Sequence, residues 1–281
     1  MRELALDFGR RRPDVSGLPK VKYASHQVAQ MVVPGTMHKV FIFAVGLLLA
    51  SGATASAAEI NLFSANGARL MVNALVPEFE RTTNNRVITK FEEPGILRKF
   101  ILDGEAFDLI ILPTGWDEVR AKITGNPISI AHTDFGILVR ADAPKPDTSS
   151  NDAAKRTLLA AKSIVYTDPK TGAITGVLFT RMIERLGIAD EVNKKSKIVP
   201  GPPVEFLTKG EVDLAIAFGT WVVEFPGAQF APMPPEFQAR VIFSGAIATS
   251  AKNIAAANAL LQFFTGPGAA SLIRSKGYEP G

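Results

Sequence analysis

The sequence of 281 residues contains no cysteine, and beyond residue 57 it has a single histidine, His132. Without cysteine the chain forms no disulfide, thiolate metal site or thiol nucleophile, and it lacks the residue that anchors bacterial lipoproteins. The signatures Gly-x-Ser-x-Gly, His-Glu-x-x-His, Gly-Lys-Ser/Thr and Gly-x-Gly-x-x-Gly are also missing. We interpret His132 as an ordinary loop histidine, and we expect no catalytic residue, no metal site and no cofactor.

The excess of positive charge is confined to the start of the chain. The sequence has 31 Lys+Arg and 27 Asp+Glu, a formal charge of +4. Residues 1–57 contain seven basic and three acidic side chains, which accounts for the whole excess, and the remainder carries 24 charges of each sign. Nucleic-acid binding requires a basic surface, so we expect no nucleic-acid partner.

Residues 37–57 have the three-part pattern of a secretory signal peptide. A basic start at Met37–Lys39 precedes the apolar run Val40–Ala50 and the small residues that end at Ala57. A membrane anchor, the alternative, needs roughly 20 apolar residues, about twice this run. We expect cleavage after Ala57 and a periplasmic protein without a lipid anchor. Residues 1–36 are interpreted as an overextended gene start.

Strands and helices alternate in two similar series. The first series is predicted to contain strands at 60–64, 87–91 and 107–112, with helices after residue 67 and over 95–103. The second series is predicted to contain strands at 163–167, near 198 and at 212–218, with helices at 176–186 and before residue 209. The final strands begin alike, at Asp103–Ile110 and Lys209–Ile216. We therefore predict two α/β lobes of one design, with ligand loops at the carboxyl ends of parallel strands.

Two extended segments, Phe135–Arg140 and Arg240–Ala248, are predicted to cross between the lobes. They place residues 58–135 plus 246–281 in lobe I and residues 136–245 in lobe II. A two-strand hinge of this kind allows lobes to close over a ligand.

Glycine-containing turns precede a helix in each series, at residues 64–67 and 170–176. Free N–H groups at a helix N-terminus favour an anionic ligand, so we expect both turns to face the cleft. The predicted ligand-binding residues are Ser64, Asn66, Gly67, Arg69, Gly95, Gly172, Thr175, Gly176 and Phe218.

Several short motifs occur in an order that is specific for one fold. They are Leu62-Phe63-Ser64-Ala65, Asp103-Gly104-Glu105-Ala106-Phe107-Asp108, Tyr166-Thr167-Asp168-Pro169, Gly210-Glu211-Val212-Asp213 and Lys276-Gly277-Tyr278-Glu279-Pro280. With them the chain resembles type II periplasmic solute-binding proteins of ABC importers, and within these the molybdate-binding branch. The resemblance implies a monomer that carries a small or anionic solute to an ABC permease in the inner membrane.

The resemblance also implies where an oxyanion of molybdate type is bound, and the sequence departs from that pattern. The positions of the hydroxyl donors in molybdate binders are Gly67, Pro94 and Phe218 here, none of which has a hydroxyl group. Glu92 and Glu93 precede Pro94. We expect both side chains to point outward; otherwise the ligand is not a simple oxyanion, because a carboxylate repels it.

Two alternatives remain open from the sequence. A sensor protein binds a ligand on the same scaffold and signals to a membrane partner. A hydrolase or isomerase on this scaffold requires a nucleophile and a base that the motifs do not supply.

Overall fold

A computed structural model describes residues 57–281, so the predicted signal peptide lies outside the described residues apart from Ala57. The strands are β1 (Glu59–Ala65), β2 (Arg86–Glu92), β3 (Leu109–Leu112), β4 (Ile123–Arg140), β5 (Ile164–Thr167), β6 (Ser196–Val199), β7 (Leu214–Phe218), β8 (Ala228–Pro232), β9 (Arg240–Ala248) and β10 (Glu279–Pro280). The α-helices are α1 (Arg69–Thr83), α2 (Pro94–Leu102), α3 (Asn151–Ala160), α4 (Ile174–Arg185), α5 (Ala189–Asn193), α6 (Val204–Thr208), α7 (Trp221–Glu224), α8 (Ile254–Thr265) and α9 (Ala270–Ser275).

The strands are joined in the order β2-β1-β3-β9-β4-β7-β5-β6, and β8 and β10 pair with β4 outside this path. β1 runs parallel to β2 and β3, and β5 runs parallel to β6 and β7. We call β2, β1, β3 and β9 with α1, α2, α8 and α9 the first half, and β7, β5 and β6 with α3 to α7 the second half. Each half therefore has its own set of parallel strands.

The 18-residue strand β4 belongs to both halves. Residues 123–134 pair with β9, and residues 135–138 pair with β7. Both predicted extended segments are confirmed, because one is the end of β4 and the other coincides with β9. The exact lobe boundaries stay a prediction, and residues 57–281 fall within one compact unit.

His132 lies in β4 and not in a loop, so that interpretation was wrong. Its backbone is opposite Ile242 of β9 and Glu279 of β10. The pairing with β10 depends on the end of the chain returning to β4, which local sequence does not reveal.

Helix α1 forms as its periodicity predicts. Met71, Leu75 and Phe79 are fully buried, and the helix contacts β1 and α9. It ends at Asn84, whose φ of 57° is left-handed and whose N–H donates to the Glu80 carbonyl oxygen at 3.1 Å. Because α1 begins four residues after the last residue of β1, its N-terminus lies at the carboxyl end of that strand.

The predicted similarity of the two halves extends to side-chain contacts at the outer strands. Glu105 pairs with Lys90 of β2, and Glu211 pairs with Lys197 of β6. Each lysine also lies over a phenylalanine ring of the helix that precedes its glutamate, at 4.6 Å in the first half and 3.9 Å in the second. The two halves thus share an edge arrangement that holds helix and strand together.

Two clusters of buried side chains form the core. The larger one extends through both halves and includes Phe79, Phe135 and Phe179. The smaller one packs α2 against β1 and β3, and its Phe63 and Phe107 rings stack with centroids 5.5 Å apart. Within residues 57–281, no helix is both long enough and apolar enough to cross a membrane.

Candidate ligand-binding site

A cavity of about 30 Å³ lies where loops from both halves meet. The first half contributes residues that follow β1, β2 and β3, and the second half contributes residues at the ends of β5 and β7 and at the start of α4. Its wall consists of Ala65, Asn66, Gly67, Glu93, Pro94, Pro113, Thr167, Ile174, Thr175, Pro202, Pro203, Ala217, Phe218, Trp221 and Phe243. Open α/β sheets bind ligands at such strand ends, so this cavity is the candidate site.

Glu93 is the one ionisable side chain among the lining residues. It lies between β2 and α2, and only 7% of its surface is exposed. The prediction that it points outward was therefore wrong. Its backbone carbonyl accepts N–H bonds from the first turn of α2, and Pro94 begins that helix, so the chain enters the helix with Glu93 at the cavity.

Asn66 and Arg69 hold the Glu93 carboxyl in place. The Asn66 Nδ2 donates to Glu93 Oε1 at 2.9 Å, and the Arg69 guanidinium donates to Asn66 Oδ1. Because Arg69 occupies the amide oxygen, the amide presents its NH₂ group to the carboxyl. Arg69 itself lies behind the wall, with its guanidinium carbon 4.9 Å from the centre of the Phe91 ring.

Burial raises the pKa of Glu93 above its ordinary value of 4.5. The hydrogen bond from Asn66 and the charge of Arg69 lower this pKa, and the neighbouring Glu92 raises it further. The Glu93 carboxylate therefore binds a proton more tightly than an exposed carboxylate does. Within residues 57–281, no group of three histidine, aspartate or glutamate side chains is placed to hold a metal ion.

Aromatic rings close the cavity beside the loop that follows β1. A Cβ atom at Gly67 would lie 2.5 Å from the Phe218 ring and 2.8 Å from the Phe243 ring. These rings meet edge to face with centroids 5.7 Å apart. The Tyr278 hydroxyl donates to the Gly67 carbonyl oxygen at 2.6 Å, and burial raises the pKa of Tyr278, which keeps the hydroxyl protonated. A serine at position 67 would therefore require these rings to shift.

The second half supplies hydroxyl groups and the start of a helix. Thr167 ends β5 and Thr175 lies in the first turn of α4, and both are buried in the cavity wall. N–H groups in a first helical turn have no acceptor within the helix. A Cβ at Gly176 would lie 2.0 Å from the Thr167 carbonyl oxygen, so α4 begins directly against the end of β5.

The structure brings together only part of the predicted site. The predicted site residues that lie in the cavity wall are Asn66, Gly67, Thr175 and Phe218. Ser64 is fully buried in β1 and donates to the Ala65 carbonyl oxygen. Gly95 and Gly172 instead bring α2 close to the loop before α4, since a Cβ at Gly95 would lie 2.5 Å from the Thr171 carbonyl oxygen. Contact of any of these residues with a ligand stays a prediction.

Other lining residues were missed, among them Glu93, Thr167, Trp221 and Phe243. Glu93 had a usable signal, because it directly precedes a proline at a helix start. Trp221 and Phe243 have no such signal in the local sequence. They lie on α7 and β9 and line the cavity because distant parts of the chain pack together.

Residues 60–279 match the family of bacterial extracellular solute-binding proteins. The chain belongs to this family. This solute-binding protein is similar to an aconitate isomerase from a Pseudomonas species, with 26% identity over 255 residues that cover 84% of this chain and 95% of the relative. It is also similar to the molybdate-binding protein of Azotobacter vinelandii, with 24% identity over 233 residues that cover 80% and 91% of the two chains.

The fold of this solute-binding protein is also found in solved structures. The periplasmic molybdate-binding protein of Azotobacter vinelandii superposes with a TM-score of 0.65 at 16% identity, over 78% of this chain and 98% of that one. At this identity the likeness concerns the fold alone. It confirms the predicted α/β fold of type II periplasmic binding proteins. The family match and the sequence similarity to the molybdate-binding protein, taken together with this fold, confirm the resemblance to the molybdate-binding branch.

Proposed function

We propose that the protein is the periplasmic solute-binding component of an ABC importer and that it binds a small organic carboxylate in this cavity. The observation that carries the proposal is a cavity wall that combines a carboxyl from the first half, hydroxyl groups and a helix N-terminus from the second half, and aromatic rings. Family membership supports the binding role.

The second half suits the carboxylate end of such a solute. The N-terminus of α4 carries the positive end of the helix dipole and free N–H groups, and the Thr175 hydroxyl lies beside them. The rings of Phe218, Trp221 and Phe243 suit a carbon skeleton, because they offer dispersion contacts and no charge.

An inorganic oxyanion suits the cavity less well. The wall holds a buried carboxyl at Glu93, and Pro94 beside it has no N–H to donate. A carboxylate about 4 Å from an anion repels it by about 1–4 kcal/mol, depending on solvent exposure, and a compact oxyanion, unlike an organic acid, has no uncharged carbon group to place beside Glu93. Gly67 also lacks the serine hydroxyl that molybdate binders use at that position, and the aromatic rings would have to shift to admit one.

Thermal-shift measurements on the purified protein test the ligand class. The panel contains cis-aconitate, tricarballylate, molybdate, sulfate, a neutral sugar and a primary amine. A ligand at about 100 times its Kd raises the free energy of unfolding by about 2.7 kcal/mol. We expect this stabilisation with the organic acids, whereas stabilisation by molybdate or sulfate alone would refute the proposed ligand class.

A matched pair of threonine variants tests the location of the site. Thr175→Val removes the hydroxyl in the cavity wall, and we expect at least a tenfold loss of affinity for the organic acid, as for a lost hydrogen bond to a charged group. Thr180→Val on the same helix removes a hydroxyl that bonds to the Gly176 carbonyl outside the cavity wall, so affinity should be unchanged. Equal affinities in both variants would place the site elsewhere.

An uptake assay distinguishes the importer from a sensor. Cells that lack the protein should lose uptake of the radiolabelled acid. Normal uptake together with a lost transcriptional response to the acid would favour the sensor instead.

A further inference from the structure

Glu93 is placed in a way that solute binding alone does not explain. Its side chain is 93% buried beside an apolar wall, where a charged carboxyl is costly unless it is compensated. A site that only captured an organic acid would gain affinity from a neutral donor at this position. The carboxyl is instead oriented by a relay from Arg69 through Asn66.

We propose that Glu93 is a catalytic base that moves a proton between two carbon atoms of a bound unsaturated polycarboxylate. This inference rests on the proposed binding of an organic carboxylate, and it assigns an isomerase activity to a chain expected from its sequence to have none. That expectation relied on the absence of known catalytic signatures and of a nucleophile with its base, and on the expectation that Glu93 points outward.

The reaction is a balanced shift of one proton. The Glu93 carboxylate removes a proton from the CH₂ group next to the carbon–carbon double bond, and the electrons of that C–H bond spread over the allyl system and its carboxylate groups. The Glu93 carboxyl then returns the proton to the far end of the allyl system, so that the double bond moves by one position. The step consumes no oxidant, reductant or water.

The surroundings of Glu93 suit this chemistry. The rings of Phe218 and Phe243 limit access of water, and the N-terminus of α4 faces the charge that develops on the substrate carboxylates. Burial raises the pKa of Glu93, which makes its carboxylate a stronger base than an exposed one. The similarity to a protein named aconitate isomerase supports the choice of an unsaturated tricarboxylate as the probe.

Proton NMR in D₂O tests the proposal with the purified protein. With cis-aconitate, we expect trans-aconitate to appear faster than in buffer, and deuterium to enter the CH₂ group whenever the Glu93 proton exchanges with solvent before it is returned. Tricarballylate has no double bond and serves as the substrate control, for which no isomer should appear.

Two carboxyl variants make the test specific. Glu93→Gln should slow isomerisation at least 100-fold, as expected for the loss of a general base, while thermal shift still reports cis-aconitate binding. Glu105→Gln removes a partly exposed carboxyl that pairs with Lys90 and lies outside the cavity wall, and should keep the wild-type isomerisation rate within about twofold.

The outcomes separate the two proposals. Binding of cis-aconitate without formation of trans-aconitate, or equal isomerisation rates in wild type and Glu93→Gln, would overturn the catalytic role and leave the binding function intact. Absence of binding by every organic acid would overturn the binding function and this inference with it.

Asn66 serves as a positioning residue whose effect is visible in the pH dependence of the rate. The groups that influence the Glu93 charge are Asn66, Arg69 and Glu92. Because the Asn66 hydrogen bond lowers the pKa of Glu93, Asn66→Ala should move the acidic limb of the pH–rate profile to higher pH. A lower rate with an unshifted profile would contradict this role.

Discussion

The two halves of the molecule are alike at their outer edges and different where they meet. At the edges, Glu105 and Glu211 pair with lysines that lie over phenylalanine rings. At the cavity, the first half presents the carboxyl of Glu93 and the second half presents Thr175 and aromatic rings. The edge contacts hold a helix and a strand together within each half, and both halves use the same combination of glutamate, lysine and phenylalanine. In the proposed function the cavity residues contact a ligand whose ends differ, so the two halves need not present the same side chains there.

The largest expected difference concerns two glycines at the cavity. In Gly176→Ala the new Cβ meets backbone, the Thr167 carbonyl oxygen at 2.0 Å, so we expect the free energy of unfolding to fall by about 3 kcal/mol. In Gly67→Ala the Cβ meets ring atoms that can rotate, so the loss should be about 1–2 kcal/mol. Urea denaturation measures both. Gly227 has open space around it, and a loss in Gly227→Ala as large as in Gly176→Ala would contradict the argument.

A second comparison concerns the two aspartates that directly precede β3 and β7, the last parallel strand of each half. Asp108 is 2% exposed and accepts backbone N–H bonds from Asn61 and Lys252, each at 2.8 Å. Asp213 is exposed and accepts one from Lys162 at 2.8 Å. Asp108→Ala should therefore cost about 3 kcal/mol and Asp213→Ala about 1 kcal/mol in urea denaturation. Equal costs would show that the halves are held equally at this position.

The pH dependence of stability tests the buried carboxyl of the first half. Above the ordinary pKa of 4.5, the unfolded chain loses the Glu93 proton before the folded protein does, because burial raises the folded pKa. The free energy of unfolding should therefore fall as pH rises from 4.5 through the folded pKa, by about 1.4 kcal/mol for each unit of that increase. Glu93→Gln should lack this decrease, and parallel curves for the two proteins in chemical denaturation would refute it.

Two tyrosines compare a hydroxyl at the cavity with one outside it. The Tyr278 hydroxyl bonds to the Gly67 carbonyl oxygen, and the Tyr166 hydroxyl bonds to Asn193 Oδ1 at 3.0 Å. Tyr278→Phe and Tyr166→Phe should each cost about 1 kcal/mol of stability. Only Tyr278→Phe should weaken ligand binding, as measured by titration calorimetry. Equal affinity in both variants would show that the Gly67 loop does not depend on Tyr278.

The smallest effects are expected where the halves agree. Glu105→Gln and Glu211→Gln each remove a partly exposed ion pair, so each should cost no more than about 0.5 kcal/mol, and less at high salt. Thermal melts of both variants at two salt concentrations measure this. A much larger loss of stability in one variant than in the other would show that the two edge ion pairs are not equivalent.

Much of the fold was predictable from local patterns. The helix with Met71, Leu75 and Phe79 on one face and the extended segment Arg240–Ala248 appear at the expected positions. These elements follow from residue periodicity, which neighbouring residues in the chain determine. The site was predictable only in part, because Asn66, Gly67, Thr175 and Phe218 lie at turns that the motifs mark, whereas Arg69 lies behind the cavity wall.

The sequence by itself determined the absence of thiol chemistry, the neutral charge balance after residue 57, and the two similar series of parallel strands and helices. Only the tertiary structure decided that Glu93 turns into the cavity, that Phe218 and Phe243 close against Gly67, and that the end of the chain supports that loop through Tyr278. The reason is physical. Periodicity records which face of an element is buried, but the burial and partners of a single side chain depend on residues that are distant in sequence.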